Sequence, residues 1–134
     1  MSEEHLPVGR EPTLRIVPMP ADTNAAGDVF GGWIMSNADM AGAVAAIRRA
    51  QGRVVTVAVN AFSFRAPVYV SDLVSFYAKV SKVGRTSLTV DVQVYAERGF
   101  HAPDTGATVL VTEAVLTYVA IDEHRNKRPV PRDS

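Results

Sequence analysis

The chain carries one aspartate in a setting that makes a carboxylate reactive. Between Trp33 and Ile47 the only strongly polar side chains are Ser36, Asn37 and Asp39, so the segment reads as an apolar helix that the rest of the protein must wrap. A carboxylate near the middle of such a helix either faces a crevice or is held by hydrogen bonds, because unpaired burial is costly and drives it toward protonation. Asp39 is therefore a candidate general base or nucleophile. The plainer reading is a carboxylate satisfied by Ser36 or by backbone. Gly31 and Gly32 open the same helix directly after Phe30, with no Ser or Thr just ahead of them. Uncapped amides at the positive end of a helix dipole, with no Cβ over them, suit a carbonyl or oxyanion. Alternatively the glycines only let the helix pass close to a strand, with Asp28 or Asn24 as its cap.

Composition narrows the chemistry further. With 134 residues, zero formal net charge and 47% hydrophobic residues, the chain is expected to form one domain with a real core and shows no nucleic-acid footprint. It contains no cysteine, which excludes a disulfide scaffold, a thiol nucleophile and a thiolate zinc site. The polar start of the sequence has no signal-like apolar region, and the longest apolar run is interrupted by Asp39 and too short to cross a bilayer. A soluble, cytoplasmic protein with no membrane partner is expected. His5, His101 and His124 fall in an arm, a loop and a tail, where they make poor catalytic bases, and no metal site is expected.

The elements that must position these residues follow from periodicity. Residues 1–10 read as a flexible arm, 11–122 as the domain and 123–134 as a basic tail. Thr13 to Val17 form a short strand, and the loop Ala21 to Phe30 leads into a helix ending near Ala50, with Gly52 as its stop. Arg53 to Arg65 is apolar on both faces through Val59, which predicts a central strand covered on both sides. Leu73 to Val83, Thr86 to Glu97 and Thr108 to Ile121 complete the strands, with a tight turn at Gly84-Arg85 and a polar loop from Arg98 to Gly106. One helix cannot supply crossovers for parallel strands, so an α+β fold with a mostly antiparallel sheet of five or six strands is expected, curled around the helix.

That layout, with the strings Pro20 to Asp39, Gly52 to Val59, Val83 to Ser87 and Thr112 to Ala120, resembles the hotdog-fold acyl-CoA thioesterases, in particular the YciA-like acyl-CoA thioester hydrolases. The resemblance implies hydrolysis of acyl-CoA to free acid and CoA, with no cofactor because CoA is part of the substrate. It also implies a homodimer with a continuous sheet, a possible trimer of dimers, and active sites at the dimer seam. Asp39 falls on the family's catalytic aspartate and Gly32, beside Gly31, on the amide that polarises the thioester carbonyl. Asn24 and Asp28 match the loop, and Thr56 the threonine of the partner strand. Thr86 stands where the family has serine, next to Ser87. Arg85 in the hairpin turn, with Arg125, Lys127 and Arg128 in the tail, are either phosphate contacts or solvated charges. Met35, Met40 and Phe62 either pack the core or line an acyl channel. A hydratase would need a positioned histidine, which is missing near the helix; a non-catalytic acyl-CoA-binding oligomer is the alternative.

Overall fold

A computed structural model describes residues 4–100 and 106–132. Met1 to Glu3, His101 to Thr105 and the last two residues lie outside that range, and with them His101 and part of the predicted loop. The elements are β1 (Leu14–Ile16), a 3-10 turn (Pro20–Asp22), α1 (Gly31–Ala50), β2 (Val54–Phe64), β3 (Leu73–Val83), β4 (Ser87–Glu97) and β5 (Thr108–Ala120). The strands form one antiparallel sheet in the order β1-β3-β4-β5-β2, and α1 packs against all four long strands. An α+β hotdog architecture of five strands is the result.

Small side chains decide how closely the sheet approaches α1. Ala38, Ala41, Gly42, Ala46 and Ala50 are buried along it; Ala38, Ala41 and Ala46 share a core with Val74, Phe76, Val90, Val92, Val94 and Leu116 from the sheet. In β4 the alternation expected from the sequence is realised: Leu88, Val90, Val92 and Val94 are buried while Asp91 is exposed. Methyl groups against valine-rich strands make a close-packed core, with Ile34 and Trp33 as the large side chains that α1 adds near its start.

Two expectations need correction. β2 is an edge strand of the chain's sheet, not a central one, and Val57 (54%), Val59 (47%) and Phe64 (50%) are exposed on it. Its apolar side chains are therefore left uncovered by this chain. α1 ends with Gln51, not Gly52, in the left-handed conformation (φ 55°). Gly52 serves a different need: a Cβ there would lie 2.5 Å from Nη2 of Arg128, whose Nη1 donates to the carbonyl of Ala50 at 3.0 Å and whose Nε donates to that of Ile121 at 3.0 Å. Arg128 thus closes the negative end of α1. The tail beyond β5 folds back on the domain, with Val130 buried against Ala50, Leu88 and Ala120.

Candidate active site

Asp39 sits half-buried on the face of α1 that overlies the β2–β5 pair. Thr56 and Tyr118 are directly opposite each other in that pair's register, so both side chains rise on the same face. Thr56 Oγ1 donates to Asp39 Oδ1 at 2.7 Å. The Tyr118 hydroxyl shares its one proton between the same Oδ1 at 3.0 Å and the Asp39 carbonyl oxygen at 2.8 Å. A register shift between Thr56 and Ala58 follows immediately, a bulge of the kind that re-aims a side chain next to a site. The carboxylate is thus held by Thr56 and Tyr118, and not by Ser36. Thr56 meets Asp39 of its own chain, where the resemblance had placed it on a partner's strand.

Tyr118 is the site residue that sequence reasoning missed. It is fully buried, and burial first, then the neighbouring Asp39 carboxylate, pushes its phenol well above the usual tyrosine range, so it remains a donor. The signal was present as a tyrosine within an alternating apolar strand, since a buried phenol needs a hydrogen-bond partner.

The start of α1 is open as expected. Phe30 is the N-cap and makes no side-chain capping bond, so neither Asp28 nor Asn24 fills that role. Among the described residues the N–H groups of Gly31 and Gly32 have no partner, and a Cβ built on Gly32 meets nothing within 4 Å. A Cβ on Gly31 would lie 3.2 Å from the Phe64 ring, which puts the end of β2 beside the helix start. Asn24 shapes the approach: its Oδ1 accepts from the N–H groups of Ala26 (2.9 Å) and Asp28 (3.1 Å), and Gly27 turns the chain at φ 91°. Asn24, Asp28, Gly31, Phe64 and Arg65 line a cleft of about 440 Å³ at this end of the helix.

A buried ion pair braces that cleft. Asp72 is fully buried; its Oδ2 accepts from Arg98 Nη1 at 2.5 Å and from the Tyr69 N–H at 2.8 Å. Arg98 also donates to the Pro67 carbonyl at 2.9 Å and lies over the Tyr69 ring. The segment so fixed pairs with the residues just before the helix, through Val29 N–H to Val68 carbonyl at 2.8 Å and an Asp28–Tyr69 bridge. Asp72→Asn keeps the shape but removes the charge facing Arg98, which is itself partly exposed. It is expected to cost about 2–3 kcal/mol, measurable by denaturant unfolding as a lower midpoint with an unchanged slope.

The remaining predicted residues lie at the other end of α1. Arg85 is exposed, and Thr86 and Ser87 are half-buried in the β3–β4 turn that Gly84 N–H closes on the Ser87 carbonyl at 2.8 Å. Arg85, Arg49 and Arg132, with Pro129 and Pro131, border a cleft of about 570 Å³, and Arg49 Nη1 donates to the Pro131 carbonyl at 2.6 Å. Arg125 and Lys127 are exposed, while Arg128 is engaged with backbone as described above. Met35 and Met40 are exposed on α1, and Phe62 is half-buried. Among the described residues no helix is long and apolar enough to cross a membrane, and no cluster of metal-ligating side chains occurs.

Comparison with known proteins agrees with this architecture. A family model described as Thioesterase superfamily matches residues 26–99. The acyl-CoA thioester hydrolase YciA of Salmonella typhimurium is 46% identical over 121 residues, 90% of this chain and 90% of the relative. A hexameric thioesterase from Yersinia pestis superposes with a TM-score of 0.84 at 46% identity, over 96% of this chain and 100% of the other. A hexameric, broad-specificity acyl-coenzyme A thioesterase, solved as an aspartate-to-alanine mutant, gives a TM-score of 0.86 at 46% identity, over 92% and 88% of the two chains. With more than half of its length inside the family model and close to half of its residues shared with these relatives, the chain belongs to the thioesterase superfamily of hotdog-fold proteins, in the acyl-CoA thioester hydrolase group.

Proposed function

We propose that the protein is an acyl-CoA thioesterase whose active site is shared between two copies of the chain. The observation that carries the reading is the Asp39 carboxylate, half-exposed and tethered by one oxygen. Because Asp39 and Gly32 are seven residues apart on one helix, they are ~10 Å apart along its axis. A carbonyl bound at Gly32 is therefore out of reach of Asp39 in the same chain.

The exposed edge of β2 supplies the remedy. An apolar edge strand invites antiparallel pairing with a second copy, and pairing about the middle of β2 sets Thr56 across from the partner's Phe62. That is next to the partner's Phe64, the residue that touches Gly31 within each chain. Asp39 of one chain then faces the partner's Gly32, and the apolar faces of β2 and α1 become covered. The relatives' hexamers are consistent with three such dimers.

In this arrangement the thioester oxygen rests against the partner's Gly32 N–H. Asp39 takes a proton from a water molecule as the water oxygen attacks the thioester carbon, and the carbonyl oxygen becomes an oxyanion held by the amide. Collapse breaks the carbon–sulfur bond, and the proton passes from Asp39 to the departing thiolate, giving carboxylic acid and CoA. Attack by Asp39 itself would proceed through the same oxygen; its half-exposed setting, which admits water, favours the base role. Asn24 and Asp28 shape the cleft wall, and Met35 and Met40 offer apolar surface to the acyl chain.

The nucleotide end of CoA is assigned to the arginine-bordered cleft. Arg49 lies ten residues beyond Asp39, ~15 Å along the axis, a distance an extended pantetheine arm spans. Arg85→Ala is expected to raise KM about 3- to 10-fold with kcat nearly unchanged, as loss of uniform binding requires; an unchanged KM would return Arg85 to the solvated surface.

The direct test is thiol release from a panel of acyl-CoAds of different chain length, followed with a thiol-reactive chromophore. Catalytic release above the uncatalysed rate supports the proposal. Tight binding of acyl-CoA without release would make the protein a non-catalytic binder.

A further inference from the structure

We propose that Tyr118 is a positioning residue for the reaction: its phenol and the Thr56 hydroxyl pin Asp39 by Oδ1, and Oδ2 is thereby the oxygen that does the chemistry. The inference rests on the reading of Asp39 as the reacting carboxylate. Both donors converge on one carboxylate oxygen, and among the described residues no hydrogen bond reaches Oδ2. A carboxylate bonded at one oxygen from two directions loses its freedom to rotate, so the second oxygen is presented at a fixed angle.

The fold makes specific room for this contact. Gly42 lies three residues beyond Asp39 and therefore on the same side of α1. A Cβ there would come within 2.3 Å of the Tyr118 hydroxyl oxygen and 3.1 Å of the ring carbon that bears it. Glycine is unfavourable inside a helix relative to alanine, and here its absence of a side chain is what admits the phenol. The single phenol proton also lies within reach of the Asp39 carbonyl oxygen, so its forked bond ties the ring to the helix backbone as well as to the carboxylate. Tyr118 is fully buried, so it has little space for another orientation.

The test is steady-state thiol release by Tyr118→Phe, Gly42→Ala, the double variant and Asp39→Asn, each with its melting temperature. Phenylalanine fills the same space, so Tyr118→Phe should remain folded while kcat falls about 10- to 100-fold, the loss of one hydrogen bond to a charged group, with KM within about twofold of wild type because substrate contacts persist. Gly42→Ala displaces the phenol and should reduce kcat similarly. The double variant should have a kcat close to that of Tyr118→Phe alone, since the hydroxyl that meets the added methyl most closely is already gone, while the remaining ring contact is read in its melting temperature. Wild-type kcat in Tyr118→Phe, a fall in kcat that tracks loss of folded protein, or losses that multiply in the double variant would each overturn the proposal. An inactive Asp39→Asn beside a fully active Tyr118→Phe sinks the role of Tyr118 alone; an active Asp39→Asn sinks the reading beneath it.

Discussion

Asp39→Asn is expected to fold, assemble and bind acyl-CoA, and to lose about 10²- to 10⁴-fold in kcat, the range for removing a general base. The amide is the same size as the carboxylate, and its oxygen still accepts from Thr56 and Tyr118, so the local structure has no reason to change. What disappears is the ability to take a proton from water at neutral pH. Thiol release, with KM and melting temperature measured on the same preparations, separates this from unfolding. Asp39→Ala should be equally inactive and close to wild type in stability, because the buried Tyr118 hydroxyl keeps the backbone carbonyl oxygen at that position as its partner. Wild-type-like turnover in either variant would remove Asp39 from the mechanism.

Gly32→Pro is the second large effect. The position lies in the first turn of α1, where proline is tolerated because its missing N–H has no helical partner. The substitution therefore deletes one donor and little else. Loss of a single oxyanion donor is expected to lower kcat by about 10²- to 10³-fold. Gly32→Ala is the stability control: it keeps the N–H, and its Cβ meets nothing within 4 Å, so its melting temperature should match wild type. Wild-type kcat in Gly32→Pro would mean that the thioester oxygen is held elsewhere.

Much of this was legible in the sequence because the helix writes its own constraints. An apolar segment interrupted by Asp39 and opened by two glycines demands both a wrapping sheet and an explanation for its polar groups. The strand alternation in β4 likewise reads directly. The position of β2 did not, since an apolar strand looks the same whether the chain or another copy covers it. Gln51 takes the left-handed position that Gly52 was expected to occupy, and Gly52 lies where Arg128 passes. The contacts of Asp39 depend on register: Thr56 and Tyr118 are far apart in sequence and are brought together only by the β2–β5 pairing. Asp72 and Arg98 form their ion pair across 26 residues, and neither residue has a local pattern that marks it.

The shared site can be tested by mixing two inactive variants. In a hybrid dimer of Asp39→Asn and Gly32→Pro chains, one site carries both defects and the other combines an intact Asp39 with an intact Gly32 from different chains. Random reassortment of equal amounts makes half the dimers hybrids, each with one good site, so activity should recover to about a quarter of wild type. Mixed and reassembled oligomers that stay as inactive as either parent would show that Asp39 and Gly32 do not serve one site across a dimer seam.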